Sequence, residues 1–196
     1  MSTTYPIKDK TALSTFKNFY LIQKANYRNY ALIVLGLNTA LRISDILQLK
    51  WRDIFNPTKM RIREHLEIIE HKTGKTSIIA LNDAVRQTFS AYYDFIFLHQ
   101  EYQPQFYLFQ SRKGSNHPLS RSQAFRIIKE AAAASDLSPH ISCHSLRKTF
   151  GYHAWRQGTP PALLMDIYNH SSYKITKRYL CIEQEERDEV FLKVTL

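Results

Sequence analysis

The chain has 196 residues, 44% of them hydrophobic, which suits a single domain with a proper core. Lys and Arg number 27 against 17 Asp and Glu, a formal net charge of +10, so an acidic partner is expected. Two distant cysteines, Cys143 and Cys181, fit neither a disulfide framework nor a zinc site, and no run nears the roughly 18 apolar residues of a membrane span.

In chain order, Thr11 to about Lys24 reads as a helix, with Leu13, Phe16, Phe19 and Tyr20 at helical spacing. Tyr27 to Asn38 is a second, strongly apolar helix that belongs in the core. Leu41 to Leu49 is a third, and Asn56-Pro57 marks a turn after it. Ile62 to Glu70 and Thr76 to Leu81 flank a Lys-Thr-Gly-Lys turn at 72–75, the pattern of a β-hairpin. Asp83 is placed to cap a helix reaching about Leu98, with Val85, Phe89, Tyr92 and Ile96 on one side. Phe106 to Phe109 reads as a short strand before the Arg112-Lys113-Gly114 turn.

Beyond that turn, helices are expected over Ser120 to Ala134, from near His144 to Gly158, and after Pro160-Pro161. Asn169-His170-Ser171-Ser172 interrupts the chain before a helix carrying Tyr179. The tail, residues 182–196, is first acidic (Glu183, Glu185, Glu186, Asp188, Glu189) and then apolar (Val190, Phe191, Leu192, Val194), so the basic excess lies upstream of it. It either folds back on its own core or docks on a neighbouring protomer. The expectation is a mainly α domain with one small antiparallel sheet (α+β), residues 1–9 forming a short N-terminal arm.

Opening a phosphodiester without metal or ATP needs a nucleophile, cationic donors for the non-bridging oxygens and an acid for the leaving oxygen. A tyrosine nucleophile also keeps the bond energy in a phosphotyrosyl ester, so resealing needs no cofactor. Arg42 and Asp45 lie three apart, on one helical face, as a surface ion pair or as a phosphate grip at the core edge. His144 and Arg147 repeat that spacing near a helix start, where free N–H groups favour anions; a core histidine beside an exposed arginine is the plain alternative. From His170 to Tyr179 an unbroken helix turns about 900°, which puts the two on opposite faces. They converge only if the chain breaks, and Ser171-Ser172 supplies the break and a cap. Among 12 tyrosines, Tyr179 alone reads as packing.

Together these pieces resemble the tyrosine recombinase (lambda-integrase) family over about Lys10 to Tyr179. Thr39-Ala40-Leu41-Arg42-Ile43-Ser44-Asp45 is similar to the family's first-arginine box, His144-Ser145-Leu146-Arg147-Lys148-Thr149-Phe150 to its HxLRHT box, and His170 to Tyr179 to its closing motif. His71-Lys72-Thr73-Gly74-Lys75 resembles the hairpin that carries the family's lysine. Two departures stand out: Asn169 replaces a usual glycine, although Asn tolerates the left-handed conformation, and Lys148 replaces a frequent histidine, read as neutral.

The resemblance implies a site-specific DNA recombinase in which Arg42, His144, Arg147 and His170 hold the scissile phosphate and Tyr179 attacks it. Lys72 is the general acid, with Lys75 the fallback, and Asp45 supports the site. No cofactor or metal is implied. The implied partners are double-stranded DNA, a homotetramer on two DNA sites, and accessory DNA-bending or helper proteins, with no membrane. The expected compartment is the bacterial cytoplasm or nucleoid, and the setting a mobile element or DNA inversion. With only some ten residues ahead of the catalytic domain, no N-terminal core-binding domain is expected, as in the small recombinases of fimbrial phase variation. The rival readings are a DNA-binding regulator that kept the fold without cutting and a type IB topoisomerase-like activity.

Overall fold

The computed structural model describes residues 4–98 and 100–195. The first residues of the expected arm and the last of the tail lie outside them. Two helices in contact open the fold, α1 (Lys10–Ile22) and α2 (Tyr27–Thr39). Side-chain caps fix both starts: Asp9 accepts from the Ala12 N–H, and Asn26 from the Asn29 N–H. From Ala31 to Leu35, α2 is buried on every side, as its unbroken apolar run requires.

The third expected helix is much shorter than its apolar pattern suggested. Ala40 turns left-handed (φ 53°) to end α2, Arg42 is extended, and only α3 (Ile43–Ile46) is helical before α4 (Trp51–Ile54). The run is apolar because Leu41, Ile46, Leu47 and Leu49 are all buried in an irregular segment, so burial rather than helical period set the pattern.

Among the described residues the β structure is two small sheets rather than one. β1 (Phe55–Asn56) pairs with β2 (Arg61–Ile62), and β3 (His65–Ile69) pairs with β4 (Thr76–Ala80), both antiparallel. The β-leaning run from Ile62 to Glu70 changes partner at Arg63-Glu64, where the Arg63 N–H donates to the Ile54 carbonyl. The expected strand at Phe106–Phe109 is reduced to a single bridge, Tyr107 with Lys50.

α5 (Asp83–Phe97) is capped by Asn82, whose side chain accepts from the Val85 N–H, so the expected cap, Asp83, stands instead in the first turn. Its inner face, Val85, Phe89 and Tyr92, packs on Trp51, 1% exposed, with Trp51–Tyr92 centroids 5.3 Å apart. α6 (Arg121–Ala133) begins in a capping box between Ser120 and Gln123. α7 (Cys143–Arg156) crosses α2 so closely at Gly36 that a Cβ there would lie 2.5 Å from Leu146 Cδ1. α8 (Pro161–Tyr168), α9 (Tyr173–Tyr179) and α10 (Gln184–Lys193) complete the chain. No helix among the described residues is long and apolar enough to cross a membrane.

The acidic face of α10 docks on its own domain. Glu186 is buried against Lys8 and Tyr152, and Glu189 pairs with Arg156. The apolar end does not follow: Phe191 and Leu192 are 76% and 83% exposed.

Trp51 is the central ring of an aromatic cluster with Phe89, Tyr92, Tyr93 and Phe97. Trp51→Ala therefore lowers unfolding free energy by about 3–5 kcal/mol, the usual cost of emptying a large aromatic site. Urea denaturation of the two chains measures it.

Candidate active site

Four pieces of the chain meet where α7 begins: the α2–α3 connection, the β3–β4 hairpin, the first turns of α7, and the α8–α9 junction. Arg147, on the second turn of α7, is 6% exposed. Its Nη1 donates to the Ala40 carbonyl, which the left-handed end of α2 turns toward it. The guanidinium lies 4.6 Å from the centre of the Tyr168 ring, and the Tyr168 hydroxyl donates to the Arg147 carbonyl at 2.7 Å.

Two residues beyond Tyr168 the chain presents His170. Asn169 ends α8 in the left-handed region (φ 54°, ψ 49°), as expected of the residue standing in a glycine's place. Ser172, not Ser171, caps α9 by accepting from the Ile175 N–H. This break brings His170 and Tyr179 together, ring centroids 5.3 Å apart, with Tyr168 5.3 Å from Tyr179 and stacked on His170 at 5.6 Å. His170 Nδ1 lies 3.0 Å from Thr176 Oγ1, which fixes its ring.

Burial pushes the Tyr179 phenol above its ordinary value of 10.0, although Arg147, by charge and hydrogen bonding, and Arg42, by charge, pull against it. Burial and then Arg147 and Arg42 lower His170 below 6.5. His144, in the first turn of α7 with an exposed outer edge, is lowered by desolvation of its ring, then by Lys148, Arg147, Arg42 and Arg121. Both imidazoles are therefore neutral at pH 7.

Arg42 and Asp45 do not pair with each other. Arg42 forms an ion pair with Glu70 at the end of the hairpin's first strand, both largely buried. Glu70 also accepts from Ser77 Oγ (3.0 Å) and Thr73 Oγ1 (3.2 Å); burial pushes its carboxyl up, but the hydrogen bond and charge of Arg42, with the bonds from Ser77 and Thr73, outweigh burial and hold its pKa below the ordinary carboxylate value. Asp45, 6% exposed, accepts from the His71 N–H at 3.2 Å and leaves Oδ2 buried without a partner. It thus holds the hairpin directly beneath Lys72.

The two candidate lysines differ in placement. Lys75 Nζ donates to Asn169 Oδ1 at 2.7 Å and lines a cleft of about 590 Å³ with Ala40, Glu70, Arg147 and Asn169. Lys72 is exposed at the hairpin turn and makes no hydrogen bond or ion pair among the described residues.

The phage integrase family matches residues 9–186 of this chain. The chain belongs to that family. It is 39% identical over 185 residues to the probable integrase/recombinase YoeC of Bacillus subtilis, covering 94% of this chain and 93% of that protein. It is 29% identical over 153 residues to the type 1 fimbriae regulatory protein FimE of Escherichia coli K12, covering 78% and 73%. In fold it is similar to the XerA recombinase (TM-score 0.76, 17% identity, 100% of this chain and 66% of that one). It is also similar to the XerH recombinase bound to its difH substrate after cleavage (TM-score 0.72, 18% identity, 95% and 51%). The chain spans no more than about two thirds of those solved chains. Family membership makes it a tyrosine recombinase catalytic domain, a DNA recombinase whose relatives act in site-specific recombination.

Within the family frame, sequence reasoning passed over three groups. Tyr168 was not singled out in the sequence, yet its ring lies against Arg147, His170 and Tyr179. Glu70 read as the end of a strand, and no local pattern links it to Arg42. Lys148 read as neutral, yet it lies over the Tyr179 ring.

Glu70 occupies Arg42, which the family resemblance assigns to a phosphate. Glu70→Gln therefore raises DNA affinity and steepens its dependence on log salt by about one unit, because no freed carboxylate then takes up a cation. Equilibrium binding across a salt series measures both, and an unchanged slope removes Arg42 from the DNA contact.

Proposed function

We propose that the chain cleaves and rejoins DNA through a 3′-phosphotyrosyl link to Tyr179, giving inversion, integration or excision. The observation that carries this reading is the convergence of Arg147, His170 and Tyr179 on the Tyr168 ring, with Arg42 close enough to bias both titrations. The scissile phosphate lies against Arg42 and Arg147, with His144 and His170 completing its donors. The Tyr179 oxygen attacks phosphorus as the phenolate, its proton having passed to water. The P–O5′ bond breaks, and the 5′-oxygen leaves with a proton from Lys72. Asp45 acts by holding the hairpin backbone beside that lysine. In the reverse direction the 5′-hydroxyl of a partner strand attacks the phosphotyrosine, so no cofactor is consumed.

Phosphate binding must displace Glu70 from Arg42, which loosens the hairpin and lets its turn approach the site. Lys72 has the freedom this movement needs, whereas Lys75 is held by Asn169. The reaction requires double-stranded DNA, four protomers on two duplexes exchanging one strand pair at a time, and accessory proteins that bend or pair the sites. The exposed end of α10, with Phe191 and Leu192, is suited to bind a neighbouring protomer in that assembly.

A nicked suicide substrate traps the covalent adduct with the unsubstituted chain and not with Tyr179→Phe; an adduct in the variant removes Tyr179 as nucleophile. A substrate with sulfur for the leaving 5′-oxygen needs no proton, so it restores Lys72→Ala. Restoration of Lys75→Ala instead transfers the acid role there. Because Tyr179 is raised above 10.0 and a protonated phenol does not attack, single-turnover cleavage rises with pH across the neutral range. A plateau well below pH 10 assigns the titration to another group.

Replacing Phe191 and Leu192 together by Asp leaves the thermal midpoint unchanged and abolishes synapsis of two sites in a gel-shift assay. Retained synapsis places the protomer contact elsewhere.

A further inference from the structure

Lys148 is the neighbour of Arg147 on α7, and about 100° of helical rotation sends the two side chains to different targets. Its ammonium lies 5.2 Å from the centre of the Tyr179 ring, inside the range of a cation–π attraction. The same Nζ donates to the Thr4 carbonyl at 2.6 Å and lies 3.7 Å from Cys181 Sγ, two residues past Tyr179. Thr4 belongs to an arm that is itself tied to α7. The Ile7 N–H donates to Thr149 Oγ1 at 2.9 Å, the Ile7 carbonyl meets His153 Nε2 at 2.9 Å, and Ile7 is 2% exposed. Lys8 continues the strap to Glu186 on α10. Successive residues of α7, Lys148 and Thr149, thus grip the arm, and one of them also grips the nucleophile.

We infer that Lys148 is a positioning residue for Tyr179, held over its ring by the N-terminal arm, so that arm docking sets the placement of the nucleophile. This rests on the reading of Tyr179 as nucleophile. A lone pin for the arm would need only the bond to Thr4; contact with the ring gives Lys148 a second consequence. A cation there restrains the phenol ring and favours the charge that grows on its oxygen as the proton leaves. The other groups around the ring are Arg147 from α7, Arg42 before α3, Tyr168 from α8, His170 from the α8–α9 junction and Cys181 after α9. Of these only Arg42 and Arg147 carry positive charge at neutral pH, and both are assigned to the phosphate. Lys148 is the cation left for the nucleophile itself.

The test uses the full chain, a nicked suicide substrate at saturating DNA, and single-turnover adduct formation. Lys148→Gln slows it about tenfold, the effect of 1.4 kcal/mol on a barrier, and moves its rise with pH to higher pH. Lys148→Arg, which keeps the cation, recovers most of the rate. Thr149→Val removes the acceptor for the Ile7 N–H and loosens the arm without touching Tyr179. It slows cleavage in the unsubstituted chain and adds nothing in the Lys148→Gln background, because both act through one contact. A Lys148→Gln chain with unchanged rate and pH profile overturns the inference, as do fully additive losses in the double variant. Equal losses in Lys148→Arg and Lys148→Gln that follow a lowered thermal midpoint also overturn it. If the unsubstituted chain itself forms no adduct, it is the nucleophile reading that fails, and the inference fails with it.

Discussion

The burial of Arg147 is the constraint around which the site is arranged. A guanidinium does not give up its proton, so removing it from water demands partners on every side that water leaves. Ala40 supplies a carbonyl, and only because it adopts a left-handed conformation that costs an alanine roughly 1 kcal/mol. Tyr168 supplies a ring face and returns a hydrogen bond to the arginine's own carbonyl. Gly151 makes that approach possible, since a Cβ there would lie 2.4 Å from the Tyr168 hydroxyl and 2.5 Å from Leu180. One buried charge thereby draws the ends of α2, α8 and α9 onto α7. With the Ala40 carbonyl, the Tyr168 ring and the Tyr179 hydroxyl as partners, others of its five N–H donors stay available to an anion.

The same charge organises the titrations around it. Arg147 and Arg42 appear among the causes that lower both His170 and His144, and both oppose the upward push of burial on Tyr179. A cluster of cations without substrate needs a counter-ion, and the hairpin provides one in Glu70, fixed by Thr73 and Ser77. Asp45 anchors the same hairpin from below through the His71 N–H. The hairpin's Glu70 is therefore tied to Arg42 by electrostatics, a link that an incoming anion can replace.

Much of the fold was legible because local chemistry dictated it. Asn26, Ser120 and Ser172 cap helices where capping residues precede apolar periodicity, and the Lys72–Lys75 turn closes the hairpin that β-rich flanks announce. Helix geometry required a break between His170 and Tyr179 if the two were to meet, and Ser171-Ser172 offered it. Errors fell where burial imitates periodicity. Leu41, Ile46, Leu47 and Leu49 are apolar because each is buried while Gln48 stays exposed, and a short chain in that position does not need to be helical. Asp83 and Asn82 are both good caps, and only the observed backbone decides between neighbours.

The site divides in the same way. By itself the sequence offered the candidate residues and their order, Arg42, Lys72, His144, Arg147, His170 and Tyr179, through their resemblance to the boxes of the tyrosine recombinase family; residue type and helical spacing alone left the plain readings open. Only the tertiary structure decided which groups stand between and beside them. Glu70 meets Arg42 across 28 positions, Lys148 meets the arm across 144, and Tyr168 meets Arg147 across 21. Such contacts leave no periodic trace, since they arise from how helices cross rather than from how each one forms. Tyr179 is one tyrosine among 12 in the sequence, and the folded chain singles it out by surrounding it with Arg147, His170, Tyr168 and Lys148.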